Sequence, residues 1–223
     1  MNRIYLIIFC FVFSIHVIAQ QKTTIQITPI INGEPFVLNK IYTQQFEINT
    51  LKFYISNLTL LSHDSIVWSN HSNYYLINYE NEQTNTLILM LPKNIQFDKI
   101  MYDIGIDSAT NYAGAQGGDL DPTKGMYWTW QNGYINFKIE GNFYENNKIK
   151  QSFQYHIGGY QNGYVTLQTI ALDLLENEHI NIKLDIDKLT NIIQQSQINT
   201  ITSPNESAVN FSKNFQKIFS ILK

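Results

Sequence analysis

The chain has 223 residues, a formal net charge of −3 and only 15% charged residues, so no clustered basic surface points to nucleic acid or an anionic membrane. Its single cysteine, Cys10, lies in an N-terminal apolar run. A chain cleaved after that run has no disulfide, no thiolate metal site and no cysteine nucleophile, and about 200 residues suffice for one sizeable core.

The first predicted element is an export signal. Asn2 and Arg3 form a short basic n-region, Ile4 to Phe13 an uncharged apolar core, and Val17-Ile18-Ala19 a cleavage site before Gln20. That core is well short of the roughly 20 apolar residues a spanning helix needs. The expected organisation is a signal peptide over 1–19 and one domain over 20–223. The mature chain then has no membrane span and resides in the periplasm, outside the cell or on its surface. The abundance of Asn, Gln, Ile and Tyr fits nucleotide bias in an AT-rich bacterial genome.

The body reads as short strands: Thr23 to Ile31, closed by an Asn32-Gly33 turn, then Phe53 to Leu61, Tyr74 to Tyr79, Thr86 to Leu91, Lys99 to Ile106 and Ile180 to Ile186. Short strands parted by polar turns predict an all-β fold, a β-sandwich. Ser108 to Gly125 interrupts the pattern with glycines, two Asp and a Pro, and predicts a long central loop of the kind that often carries function.

Two hairpins are expected where Gln-Asn-Gly-Tyr occurs, at Gln131 to Tyr134 and Gln161 to Tyr164, because Asn-Gly favours a two-residue type I′ turn. Counting outward from Asn132-Gly133 pairs Trp130 with Ile135, Trp128 with Phe137 and Met126 with Ile139, all on one apolar face. Counting from Asn162-Gly163 pairs Tyr155 with Ile170 and His156 with Thr169. His156 then points away from Phe153, Tyr155 and Ile157. Late in the chain, one or two short helices are expected: one capped by Asp187 and running through Gln195, another from about Asn205 to Phe219 after Ser203-Pro204.

No P-loop, nucleophile elbow, paired-histidine zinc helix or dinucleotide fingerprint occurs, so the chain is not expected to be an enzyme. Asp119-Leu-Asp121 opens like a calcium loop but lacks the remaining ligands, which leaves turn and capping roles. His63, His71, His156 and His179 follow the apolar run without local zinc-like spacing. Imidazoles without thiolates favour copper among metals, and Met126 could add a weak thioether or fill the core.

The segment Gly118-Asp-Leu-Asp-Pro-Thr-Lys-Gly-Met-Tyr-Trp-Thr-Trp-Gln-Asn-Gly-Tyr-Ile-Asn-Phe-Lys-Ile-Glu-Gly141 resembles the signature of the MbnP-like family. Phe153-Gln-Tyr-His-Ile-Gly-Gly159, Phe53-Tyr-Ile-Ser-Asn-Leu58, Ile104-Gly-Ile-Asp107 and Ser203-Pro204 resemble it in the same order along the chain.

The resemblance implies an exported β-sandwich associated with copper handling and related to the copper proteins MopE and CorA. It implies that a tryptophan, here Trp128 or Trp130, is oxidised to kynurenine. The implied partner that oxidises it is a di-haem cytochrome c peroxidase-like protein. It also implies that histidines hold copper together with the modified residue, with His156 the first candidate and His71 and His63 the others. Where relatives carry a histidine near Tyr74-Tyr75-Leu76 this chain has tyrosine, with His71 a few residues earlier. The alternative expectation is a cell-surface β-sandwich that binds a ligand or protein without metal.

Overall fold

The computed structural model describes residues 20–42, 45–146, 148–161, 163–174 and 179–222. The expected signal peptide, with Cys10, and the turn residue Asn162 lie outside the described residues. In chain order the elements begin with strands Gln20–Ile31 (β1), Glu34–Pro35 (β2), Phe46–Ser62 (β3), Ser65–Asn70 (β4), Tyr75–Asn78 (β5), Thr86–Pro92 (β6) and Lys99–Ile104 (β7). A short helix, Ser108–Tyr112 (α1), precedes strands Tyr127–Trp128 (β8), Gly133–Tyr134 (β9), Phe137–Glu145 (β10), Lys148–Ile157 (β11), Gln168–Asp173 (β12) and His179–Asp185 (β13). The chain ends in Ile186–Ser196 (α2), Thr200–Ile201 (β14), Glu206–Ser212 (α3), Phe215–Ile218 (α4) and Phe219–Ile221 (β15).

The strands form the expected sandwich. One sheet runs β15-β13-β1-β2, with β6 also on β1; the other runs β12-β7-β3-β10-β11-β14, with β4 and β5 also on β3. Alternation decides which side chains meet between them. Ile25, Ile27, Leu87, Leu89, Ile182 and Leu184 come from the first sheet, and Ile48, Leu51, Phe53, Phe137, Ile139 and Tyr155 from the second. Phe137 stacks on Phe53 at 5.5 Å between ring centroids and meets Phe215 of α4 at 4.9 Å, so the late helix closes the core. Burying one such ring stabilises the fold by about 1.5–3 kcal/mol.

Local signals hold where the turn is isolated. Asn32 and Gly33 both take positive φ (51° and 81°), and β1 and β2 pair directly across them. Two helix boundaries differ from expectation. Asp185, not Asp187, caps α2 by accepting from the Lys188 amide, while Asp187 accepts from the Asn32 amide and ties the helix to the first turn. Asn205 caps α3, but α3 ends at Ser212 and Phe219 is already strand. Leu184 pairs with Phe219 there, so β13 captures the segment that would have prolonged the helix.

Both expected Gln-Asn-Gly-Tyr hairpins pair otherwise. In the first, Trp128 pairs with Gly133 and Tyr127 with Tyr134, and the Met126 carbonyl accepts from the Ile135 amide. The loop is therefore Thr129 to Asn132, and the expected single face splits. Met126, Trp128 and Ile135 enter a second apolar cluster, Phe137 and Ile139 the main core, and Trp130 solvent. Tertiary contacts override the turn preference. The Tyr134 amide donates to Asn111 Oδ1, its hydroxyl donates to the Gly114 and Leu120 carbonyls, and the same hydroxyl accepts from the Gln116 amide. In the second, β11 pairs with β10 and β12 with β7, so Tyr155 faces Ile139 rather than Ile170, and His156 faces Lys138 rather than Thr169. The expected orientation of His156 holds: Phe153, Tyr155 and Ile157 are buried on the opposite face.

Candidate functional site

The site is built on the outer face of the larger sheet. Phe53 and Ile55 of β3 point into the main core, so Tyr54 between them points outward, as Leu76 of β5 does beside Ile77. The segment from Gly105 to Asn136 folds over this face and supplies Ile106, Leu120, Met126, Trp128, Tyr134 and Ile135 to a second buried cluster around Tyr54. The long loop thus roofs the sheet rather than trailing into solvent, and it contains α1.

Polar groups fasten that roof. Asp119 accepts from the Leu76 amide at 3.0 Å and from Lys124 at 2.5 Å, and its carbonyl accepts from the Tyr54 hydroxyl. Asp121 caps the next turn through the Thr123 amide, the role expected of it, whereas Asp119 instead ties the loop to β5 and to Lys124. Asn136 is 1% exposed; its Oδ1 accepts from the Ile106 amide and its Nδ2 donates to Thr166 Oγ1. Asp107 caps α1 through the Thr110 amide and accepts from the Tyr74 hydroxyl at 2.6 Å.

Burial pushes the Asp107 carboxyl up, but the bonds from Tyr74 and Thr110 outweigh it and hold the group below its ordinary value of 3.8. Asp185 is likewise held down, with burial opposed by the Lys188 amide and by Lys183. The folded chain therefore binds fewer protons than the unfolded chain in the acid range. The stability these carboxylates confer is present above their unfolded value and lost as pH falls through the folded ones. Thermal melts between about pH 5 and about pH 3 should show a falling melting temperature, with a shallower fall in Asp107→Asn; parallel curves would remove Asp107 from the account.

Trp128 lies at the edge of the roof, 7% exposed. A Cβ at Gly158 would sit 2.7 Å from its Cζ3 and 2.5 Å from the Tyr134 carbonyl, so the indole covers the bare Gly158 backbone. Gly158 follows β11 directly. Ile157 is buried in the main core, so Gly158 and His156 share the outer face, about 7 Å apart along the strand. The fold thereby sets His156 beside Trp128. Trp130 is 66% exposed, and its ring centroid is 6.0 Å from that of Trp128. Met126 is fully buried in the cluster that holds Trp128.

His156 Nε2 lies 2.6 Å from Glu140 Oε1, and Lys138 Nζ lies 3.5 Å from the same oxygen. Lys138 also reaches the Gly125 carbonyl, at the start of the tryptophan segment. Burial depresses the His156 imidazole below its usual range, against the pull of Glu140. Burial raises Glu140, but His156 and Lys138 outweigh it and hold the carboxyl down. The result is a neutral imidazole beside an ionised carboxylate. A proton on Nε2 donated to Glu140 leaves the lone pair on Nδ1, the arrangement that carboxylates impose on metal-binding histidines.

The other candidate histidines lie elsewhere. His71 contacts Asn57 Oδ1, about 15 Å along β3 from Lys52, which shares the His156 row through Lys138. His63 sits at the tip of the β3–β4 turn with φ 48°, its amide donating to Asp98, and is farther still. His179 bonds Thr24 on the other sheet. Among the described residues no three His, Cys, Asp or Glu side chains converge. His156 and Glu140 give one imidazole and one carboxylate on this face, a donor pair that suits copper but is too small to enclose it, and Met126 is buried in the Trp128 cluster.

Sequence reasoning missed Glu140, Lys138, Asn136 and Gly158. The available signal was the composition of Glu145-Asn146-Asn147-Lys148, which favours a turn between two alternating runs.

No helix among the described residues is long and apolar enough to cross a membrane. A search of curated proteins finds no match. Among solved structures, MbnP from Methylosinus trichosporium superposes with a TM-score of 0.61 at 10% sequence identity, covering 83% of this chain and 81% of that one, which is a likeness of fold. The MbnP family model matches residues 20–210, and the chain belongs to the MbnP family.

Proposed function

We propose that this chain is an exported, non-enzymatic copper-handling protein whose site forms at Trp128 and His156 once a di-haem peroxidase-like partner has oxidised a tryptophan to kynurenine. The observation that carries this reading is the Trp128 indole lying over Gly158, one outward-facing position from His156. In kynurenine the pyrrole ring is open, so an aromatic amine and a ketone replace the indole. These would add nitrogen and oxygen donors beside the imidazole. The donor set that is too small in the unmodified chain is then completed by the modification.

His156 supplies the imidazole nitrogen. Glu140 orients the ring and fixes its tautomer, and Lys138 keeps Glu140 ionised. Copper held there would be a bound cargo or a structural ion, with nitrogen and oxygen ligands that its coordination chemistry accepts. His71 and His63 are left outside this site.

Copper titration tests the reading, on protein isolated from cells that also express the partner. Peptide mass spectrometry of the same sample should show one carbon lost and one oxygen gained between Met126 and Lys138. His156→Ala should abolish copper binding, and Glu140→Gln should weaken it by about 10–100-fold. Equal affinity in wild type and His156→Ala removes His156. An unmodified peptide, no copper uptake and specific retention on a glycan or protein ligand would favour the metal-free surface module instead.

A further inference from the structure

The two tryptophans are presented in opposite ways. Trp128 is sealed: it belongs to the second apolar cluster, and the Gly158 and Tyr134 backbone backs its ring. Trp130 is 66% exposed and joins neither apolar cluster, so its indole adds little to the stability of the fold. Yet the loop holds it against its neighbour. Asn132 takes a positive φ of 51°, the Gln131 amide donates to the Trp128 carbonyl, and the two rings lie 6.0 Å apart at a tilt of 48°. A protein docking on this face would meet the exposed Trp130 ring, whereas Trp128 is only 7% exposed.

We propose that Trp130 is an electron relay: it docks against the oxidising partner, passes electrons outward from Trp128, and is itself unchanged. This rests on the reading above that a partner oxidises the pair. Electron transfer between two electron-rich rings in near contact is fast, and the exposed edge of Trp128 admits water but not a haem. The Trp128 indole gives up four electrons and four protons in all, and two oxygens enter from water as its C2–C3 bond breaks to give the N-formyl ketone. Hydrolysis then releases formic acid and leaves kynurenine. The electrons leave one at a time through Trp130 to the partner's haem, and there they reduce two molecules of hydrogen peroxide to four of water, consuming the four protons. Trp130 is oxidised and re-reduced at each passage, so the balance leaves it intact. Trp128 is the fitting end of the relay because it is the ring beside His156.

The test is a peptide map of the full chain after reaction with the di-haem partner and hydrogen peroxide, for wild type, Trp130→Phe and Trp130→Tyr. Tryptophan emission, from Trp68 and Trp128, and the thermal melt verify that each variant folds. In wild type the mass change should fall on Trp128 alone. Phenylalanine, whose ring cannot be oxidised at accessible potentials, should abolish it, and tyrosine should restore it. Modification of Trp130 itself, or of Trp128 at the wild-type rate in Trp130→Phe, overturns the relay. Failure of tyrosine to restore the change, with binding to the partner retained, assigns Trp130 to shape and also overturns it. No mass change on either ring in wild type overturns the underlying reading, and the relay with it.

Discussion

Replacing Gly158 with valine is expected to unseat the Trp128 indole and dismantle the candidate site without touching any proposed ligand. Even one methyl at this position would lie 2.5 Å from the Tyr134 carbonyl and 2.7 Å from Trp128 Cζ3. The first of these is backbone, fixed because Tyr134 is tied to Asn111, Gly114, Gln116 and Leu120. The indole is the part that yields. Overpacking of this kind costs about 1–3 kcal/mol, with valine at the upper end. A lower melting temperature and a red-shifted tryptophan emission should appear together, because Trp128 moves from a buried cluster into water. An unchanged emission spectrum would mean that the indole does not rest on Gly158.

The second large effect is expected at Asn136, which holds three segments at the junction between the main core and the roofed cluster. Its amide satisfies the Ile106 amide and the Thr166 hydroxyl, while its backbone bonds Tyr54 and Ile157. Asn136→Ala keeps the backbone bonds, orphans the Ile106 amide in a buried site and leaves the Thr166 hydroxyl only its bond to the Gly159 carbonyl. The unsatisfied amide costs about 1–3 kcal/mol and the lost Thr166 bond about 1 kcal/mol, so urea unfolding should show a loss of roughly 2–4 kcal/mol. A loss below about 1 kcal/mol would indicate that the Ile106 amide finds another partner.

Much of the sandwich was legible because alternation is a local property. The runs at Thr23 to Ile31, Thr86 to Leu91 and Ile180 to Ile186 each lie in a strand, except that Ile186 already opens α2. What was not legible was pairing. Asn132-Gly133 has the composition of a tight turn, but Tyr134 and Trp128 are held by a loop that begins more than 20 residues earlier, and those contacts shift the pairing. The partner of β11 was misassigned for a related reason: the turn preference near Asn162 is local, whereas the bond from the Asn136 amide to the Ile157 carbonyl is not.

The candidate site was partly legible. His156 and Trp128 stand out from their motifs, and Trp128 covers Gly158, two residues along the chain from His156. His63 stands out by residue type and His71 by its place just before Tyr74-Tyr75-Leu76, and the strand geometry separates both from His156. Glu140 carried no signal of its own, because a carboxylate two positions from Lys138 reads as an ordinary solvated strand face until β10 and β11 are paired.

The most direct measurement is anomalous diffraction at the copper edge, from crystals of the protein isolated with its partner and loaded with copper. The account predicts one peak within bonding distance of His156 and of the ring derived from Trp128. A peak at His71 or His63, or no ordered copper on a chain whose tryptophan has been oxidised, would contradict it.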